Sequence, residues 1–563
     1  MADGVVVGDT LLQTARAWLA QDPDPATAGE LSALIAGAEA GDAEASDELA
    51  DAFDGTLQFG TAGLRGRLGP GSNRMNRVVV ARAAAGLAAY LIAAAGTTGE
   101  RLRVVIGYDA RRNSDVFARD TARIMAGAGI TALVLPKPLP TPVLAFAIRE
   151  LDCAAGVMVT ASHNPPDDNG YKVYLGDGSQ IVPPADAEIS ACIAAVGALA
   201  GIPQSDDYRT LDDALLDAYV ARAVSLLGAG PRDVSAVYTA MHGVGGEVFM
   251  RAVEKAGFGT PTAVAAQFAP DGRFPTVSFP NPEEPGAMDL SLADARAQSA
   301  EVIIANDPDA DRCAAGIPFG GDYRMLTGDE VGALLGWWIA ERGRRDGVPA
   351  TGVYAQSIVS GTLLERIATD AGLGYATTLT GFKWISKVPD LRFGYEEALG
   401  YCVDPTAVKD KDGITASLLM LEMVAALKAE GRGPQDVLDD LARKFGLYAT
   451  SQLSVRVSDL SLITGAMARL RADPPAALGG RTVLRMDDLE KGADGLPPTD
   501  GLRFSLPDAR VIVRPSGTEP KLKCYLQVVV PVTGEIAEAR GTAQSELEAL
   551  RSSLAEALGL SAR

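Results

Sequence analysis

Residues 9–54 carry apolar side chains at helical spacing, with Leu11, Leu12, Ala15, Trp18 and Leu19 on one face and Leu31, Leu34, Ile35 and Ala38 on another. These stripes are packing surfaces and predict helices. From about residue 102 the pattern changes to short apolar runs alternating with amphipathic stretches, beginning with LRVVIGYD and a predicted helix near 114–126. Further buried-strand candidates are TALVL (131–135), AAGVMVT (154–160), SAVYT (235–239), EVIIAN (301–306), GVYAQS (352–357) and RFGYEE (392–397). Strands alternating with helices predict α/β layers. The C-terminal part differs: RVIVRPSGTEPKLKCYLQVVV reads as two strands joined by a phosphate-sized loop, followed by a helix over 537–558, an α+β unit.

At 563 residues the chain exceeds what one hydrophobic core holds, and composition shifts near 200–215, 320–328 and 430–450 mark domain boundaries. Apolar residues make up 47% and charged residues 22%, the balance of a globular protein. No basic start precedes an apolar run, and no stretch reaches the roughly 18 uncharged apolar residues of a membrane helix. A cytoplasmic location with no membrane partner is therefore expected. Cys153, Cys192, Cys313, Cys402 and Cys524 are scattered singly, which predicts reduced, mostly buried thiols and neither a zinc site nor a disulfide framework. The net charge of −21 argues against nucleic acid as a partner. An anionic small substrate requires cationic side chains to converge locally.

Several of the strand candidates end in loops with chemical potential, where open α/β sheets bind ligands. VMVTASHNPPDDNGYKVY places Thr160, Ser162, His163 and Asn164 just past a strand, with two prolines to stiffen the turn. A lone loop serine is usually a turn former. It becomes a phosphoryl carrier when neighbouring groups neutralise its phosphate and assist transfer, and His163 and Lys172 are the nearby candidates. NDPDADRC sets Asp307, Asp309 and Asp311 at alternate positions after a strand, three hard oxygen ligands suited to magnesium. A solvated acidic turn, or an aspartyl-phosphate phosphatase with one aspartate as nucleophile, would use the same spacing. GYEEALGY presents Glu396 and Glu397 at a strand end, where carboxylates can accept from vicinal sugar hydroxyls. RPSGTEPKLK offers Arg514, Ser516, Gly517 and Thr518 around a dianionic phosphate.

Taken together, TASHNPPDDNGYK, DPDADR, GYEEA and RPSGTEPK, with FGTAGLRG (59–66) upstream, resemble the active-site segments of the α-D-phosphohexomutases, the phosphoglucomutase and phosphomannomutase superfamily. The resemblance runs in chain order from about residue 56 to the end. It implies three successive α/β domains with mixed sheets plus a C-terminal α+β domain around a central cleft. The corresponding boundaries are a helical extension over 1–54, domains at 55–212, 213–325 and 326–445, and the last domain at 446–563. It implies Ser162 as phosphoserine, Arg65, His163 and Lys172 in catalysis, and one Mg2+ held by Asp307, Asp309, Asp311 and the Ser162 phosphate. Thr61, Arg312, Gly381, Lys383, Glu396, Glu397, Arg514, Ser516, Gly517, Thr518 and Lys521 would contact the substrate. Closure of the last domain over the substrate would exclude water.

The implied reaction interconverts sugar 1-phosphate and 6-phosphate, glucose ahead of mannose, through a sugar 1,6-bisphosphate that also serves as activator. A phosphopentomutase or a magnesium-dependent sugar phosphatase are the alternatives. Two departures bear on the sugar: Tyr395 follows the glycine, and Ala398 stands where many members have serine. GYEEA with TLTGFKWI looks most like the longer phosphoglucomutase and phosphopentomutase branch. Arg65, Lys172, Arg312, Lys383, Arg514, Lys521 and Lys523 all fall in or beside these loops, so an acidic chain can still hold a cationic site.

Overall fold

The helical N-terminal stretch divides into Asp9–Leu19, Pro25–Glu39 and Ala43–Ala52. The breaks are set by local chemistry. Asp24 accepts from Ala26 N at 3.0 Å ahead of Pro25, whose fixed φ suits a first helical turn. Asp42 accepts from Glu44 N at 2.9 Å and starts the third helix. Ala15, Trp18, Leu31, Ile35 and Leu49 bury against Val78, which lies on the long helix Arg77–Ala95.

The computed structural model describes residues 9–61, 63–96, 102–457, 460–516 and 521–559. Two compact units are formed, Met1–Tyr323 with Tyr401–Glu422, and Arg324–Gly400 with Met423–Arg563. In the first, one mixed sheet runs in the order Leu64–Arg67, Asp168–Leu175, Ala155–Val159, Arg103–Tyr108, Thr131–Val134, Arg209–Thr210. The last four strands are parallel, and Asp168–Leu175 returns antiparallel. A second sheet pairs Ala236–Thr239 in parallel with Thr262–Ala263 and Val302–Ala305, and Val302–Ala305 antiparallel with Ala314–Phe319. The expected runs at 102–109, 131–135, 154–160, 235–239 and 301–306 all contain these strands, and the helix Ser114–Gly127 lies where periodicity places it.

Arg77–Ala95 is long and apolar enough to cross a bilayer by length and composition, the one such helix among the described residues. Arg82 interrupts its apolar run and stacks its guanidinium 5.5 Å from the Trp18 ring centroid. Val80, Ala84, Leu87 and Leu91 of this helix bury into the core of the first sheet.

In the second unit the strands Gly374–Thr378, Val353–Ser357 and Leu391–Glu396 lie parallel in that order. Their shared direction brings Thr378, Ser357 and Glu396 to one edge. Leu447–Arg456, Lys521–Val530, Ala509–Pro515, Leu502–Leu506 and Arg485–Asp488 form an antiparallel sheet covered by the helix Ile536–Leu558. The α/β and α+β reading is thus the observed fold. All five cysteines are free, and all but Cys192 are buried.

The edge strand Leu64–Arg67 is seated by Gly63, whose φ is +74°. A Cβ there would lie 1.9 Å from the Tyr171 carbonyl oxygen, so no side chain fits without moving the strand. Gly63→Ala is expected to cost about 2 kcal/mol or more, read as an earlier urea transition. An unchanged unfolding profile would show that the strand is not seated through this contact.

Candidate active site

All five residues of Ala155–Val159 are buried, and the chain leaves this strand through a tight turn. Ser162 adopts φ +52°, in the left-handed region, and its N–H donates to Thr160 Oγ1 at 2.9 Å. Pro165 and Pro166 follow, and Asp168–Leu175 carries the chain back with Lys172 opposite Met158. Arg111, itself buried, clamps this turn by donating to four carbonyl oxygens: Ser162 at 2.6 Å, Asn164 at 2.5 Å, Pro165 at 2.7 Å and Asp168 at 3.2 Å. Asp109 Oδ2 lies 3.4 Å from Arg111 Nε. Burial raises the Asp109 carboxyl and lowers the Arg111 guanidinium, each against the pull of the other.

Val302–Ala305, also wholly buried, delivers the acidic loop. Asp307, Asp309 and Asp311 are fully buried, and one carboxylate oxygen from each lies within 4.8 Å of the others. Ala310 takes φ +52° to make the turn. Lys172 Nζ lies 2.8 Å from Asp309 Oδ2 and 3.1 Å from Asp311 Oδ2, and Lys411 Nζ lies 3.1 Å from Asp311 Oδ2. Arg312 Nε is 3.7 Å from Asp307 Oδ2 and 3.9 Å from Asp311 Oδ1. Thr141 Oγ1 donates to Asp309 Oδ2 at 2.7 Å.

Burial works to neutralise all three carboxyls, but the outcome differs with their neighbours. For Asp311 burial is outweighed by Lys172, Lys411 and Arg312, which hold it below the usual range. Asp309 is also lowered, burial and Asp311 being overcome by Lys172 and Thr141. Asp307 is pushed well above the usual range by burial and by the charges of Asp309 and Asp311. Asp309 Oδ1 and Asp311 Oδ1 accept no hydrogen bond among the described residues. Buried acceptors left open beside a carboxyl short of positive charge are what a hard divalent cation satisfies, so the donor set fits such an ion.

The serine turn and the acidic loop meet. Ser162 Oγ donates to Asp307 Oδ2 at 2.8 Å and lies 3.2 Å from His163 Nδ1. Arg65, on the edge strand, donates to Asn164 Oδ1 at 3.2 Å, and its guanidinium pKa is lowered by burial against the opposing pull of Asp309. Thr61 sits in a turn closed by Gly60 N to Gly63 O at 3.1 Å and Gly63 N to Gly60 O at 2.8 Å. The first unit therefore brings together Arg65, Ser162, His163, Lys172, Asp307, Asp309, Asp311 and Arg312.

In the second unit Glu396 Oε2 accepts from Gly381 N at 3.2 Å, so the TGFKW turn and the glutamate loop form one surface. Lys383 is half-buried on the short helix Phe382–Ile385. Glu397 Oε2 lies 3.1 Å from both Ser357 Oγ and Ser360 Oγ. Tyr395 is buried, with its hydroxyl 3.0 Å from both Asp329 Oδ1 and the Gly361 carbonyl oxygen, which makes it a support beneath the loop. Arg514 is hydrogen-bonded to Thr380 Oγ1, and Ser516 N donates to the Lys521 carbonyl across the C-terminal hairpin. Gly517 and Thr518 lie outside the described residues.

Two cations of the first unit's cluster go beyond the sequence expectations, as do Thr141 and Asp109, which meet Asp309 and Arg111. Arg111 follows the strand Arg103–Tyr108 in YDARR, and its place beyond a parallel strand's carboxyl end is the signal that marks it. Lys411, in VKDKDGI, comes from a segment about a hundred residues after the aspartates. Only packing reveals it.

The chain matches four successive domains of one family, described as "Phosphoglucomutase/phosphomannomutase": alpha/beta/alpha domain I over residues 56–199, domain II over 217–318, domain III over 327–445 and the C-terminal domain over 455–531. It is 51% identical over 461 residues to a "Probable phosphomannomutase" of Haemophilus influenzae, covering 80% of this chain and 92% of that protein. A "Probable phosphoribomutase" of Schizosaccharomyces pombe is 35% identical over 548 residues, covering 90% and 92%. The crystal structure of a phosphoglucomutase/phosphomannomutase family protein from Burkholderia thailandensis superposes with a TM-score of 0.66 at 22% identity, over 90% of this chain and 98% of that one, which speaks to the fold. With all four domains matched in order and relatives aligned along nearly their whole length, the chain belongs to the phosphoglucomutase/phosphomannomutase family of mutase isomerases.

Proposed function

We propose that Ser162 is the phosphoryl carrier of a hexose phosphate mutase acting on glucose and mannose phosphates. The observation that carries this reading is the 2.8 Å contact of Ser162 Oγ with Asp307, at the edge of a buried three-carboxylate cluster. Phospho-Ser162 donates to a free hydroxyl of the bound sugar monophosphate. The P–Oγ bond breaks as a P–O bond to the sugar forms, the sugar hydroxyl proton leaves to a base, and Oγ regains a proton. The resulting bisphosphate turns over and returns its other phosphate to Ser162 by the reverse step. Phosphoryl transfer of this kind rests on alignment and charge neutralisation.

Arg111 holds the carrier turn rigid through four carbonyls, which fixes the direction in which Oγ points. Asp307, Asp309 and Asp311 would hold Mg2+, which when bound supplies positive charge beside the transferring phosphate. Arg65 and Arg312 add fixed cationic charge, and Lys172, His163 and Lys383 are the candidates for proton transfer. Glu396 and Glu397 grip vicinal ring hydroxyls, while Arg514, Ser516, Gly517, Thr518 and Lys521 hold the phosphate that is not reacting. Glucose and mannose differ at a ring carbon that Glu396 does not read. A sugar 1,6-bisphosphate serves as the activator that phosphorylates Ser162. The phosphoribomutase relative supports a second reading, a pentose 1-phosphate to 5-phosphate mutase.

Coupled assays with glucose 1-phosphate, mannose 1-phosphate and ribose 1-phosphate, with and without glucose 1,6-bisphosphate, test this directly. Turnover of both hexoses above the pentose is expected. Pentose preference would select the second reading, and inorganic phosphate accumulating in step with substrate loss would indicate a phosphatase. Ser162→Ala should lose about a thousandfold or more in kcat, since the covalent route disappears. A variant at the wild-type rate would remove the carrier role. Protein stripped by chelation should retain under about a hundredth of its activity and recover it with Mg2+. Full activity after stripping would exclude the metal.

A further inference from the structure

The first unit contains a strained loop pair outside every role assigned above. Met241, His242 and Phe274 adopt φ +47°, +59° and +47°, a region unfavourable to side chains carrying a Cβ. A hydrogen-bond network, buried at Thr239 and Gln267, holds them there. Met241 N donates to Thr239 Oγ1 at 3.1 Å, and Thr239 Oγ1 in turn donates to Gln267 Oε1 at 2.7 Å. His242 N donates to Gln267 O at 2.7 Å, Asp271 N to His242 O at 2.9 Å and Phe274 N to Asp271 O at 3.0 Å. Thr276 Oγ1 lies 2.8 Å from His242 Nε2 and 3.0 Å from Gln267 Nε2.

This scaffold presses one short segment, Asp271 to Phe274, onto the turn that contains Arg111. A Cβ on Gly272 would lie 2.6 Å from the Ala110 carbonyl oxygen and 2.7 Å from Arg111 Cα, so the two backbones touch. Two residues on, the Phe274 ring, only 2% exposed, lies beneath the Arg111 guanidinium with 4.9 Å between Cζ and the ring centroid. Nη1 of that guanidinium donates to the carbonyls of Pro165 and Asp168, and Nη2 to those of Ser162 and Asn164. An aromatic face under a planar cation restricts its tilt, and four hydrogen bonds from one plane convert tilt into displacement of the acceptor turn.

We propose that Phe274 is a positioning residue for phosphoryl transfer: its ring fixes the plane of Arg111 and thereby the orientation of Ser162. The inference rests on Ser162 being the carrier. Backbone strain at Phe274 is then the cost of delivering a π face to that one point.

Replacing Phe274 in the full chain by 4-fluoro- and 3,4,5-trifluorophenylalanine keeps the ring's shape while weakening its π face stepwise. The readout is the single-turnover rate at which glucose 1,6-bisphosphate phosphorylates Ser162, together with the KM for glucose 1-phosphate and the melting temperature. A graded loss is expected, about three- to thirtyfold by the trifluoro ring, with KM and melting temperature unchanged. Phe274→Leu should be at least as slow as the trifluoro variant. A packing role would lower the melting temperature of Phe274→Leu while leaving the rate flat along the fluorinated series, and that result overturns the proposal. Ser162→Ala run alongside separates the two levels: a variant still turning over at the wild-type rate removes the carrier, and the positioning role falls with it.

Discussion

Three carboxylates within 4.8 Å of one another, none exposed to water, repel one another in a medium that screens poorly, and the first unit is organised around that repulsion. Lys172 arrives on the strand that returns from the serine turn, Lys411 from a distant segment, and Arg312 from the acidic loop itself. Each cation is held by the fold at a place where its charge is required. The one carboxyl that the lysines do not reach, Asp307, is the one pushed toward protonation and the one that receives the Ser162 hydroxyl. A charge deficit thus sits beside the atom proposed to carry phosphate.

A second buried charge, Arg111, holds the serine turn. A serine in the left-handed region, followed by two prolines, would sample other conformations in isolation; here Arg111 fixes the turn through its carbonyls and leaves the hydroxyl to Asp307 and His163. Arginine's planar fork suits this task because one rigid group binds several acceptors at once. Asp109 offsets part of the cost of burying that guanidinium, so the ion pair serves position more than stability.

In the second unit hydroxyl and amide groups meet the glutamates. Ser357 and Ser360 lie at hydrogen-bonding distance from Glu397, Gly381 N meets Glu396, and Tyr395 braces the loop from below through Asp329 and Gly361. The tyrosine that departs from the family pattern is a buried strut. Hydroxyl and amide donors fix the direction of the glutamate oxygens they meet, as the proposed grip on sugar hydroxyls requires.

Period and punctuation along the chain were enough to locate the longer buried strands of the α/β sheets, the C-terminal hairpin and helix, and the loops that follow strand ends, because apolar periodicity and turn chemistry are local properties. Strand direction and the strands Arg209–Thr210, Thr262–Ala263 and Gly374–Thr378 were not legible in this way. The candidate residues Ser162, Asp307, Asp309, Asp311, Glu396 and Arg514 were legible because each sits within a short run whose residue types narrow the chemistry it can do. Lys411 on Asp311, Arg111 under the serine turn and Phe274 beneath Arg111 were not, since each partnership joins segments from about 50 to about 160 residues apart. The division of the helical extension into three turned on caps at Asp24 and Asp42, where side-chain oxygens take the first backbone N–H groups of the next helix. Which groups could become chemically active was therefore written in local sequence. How their charges balance was decided by tertiary packing alone, because burial and Coulomb interaction depend on distance in space and hardly at all on distance along the chain.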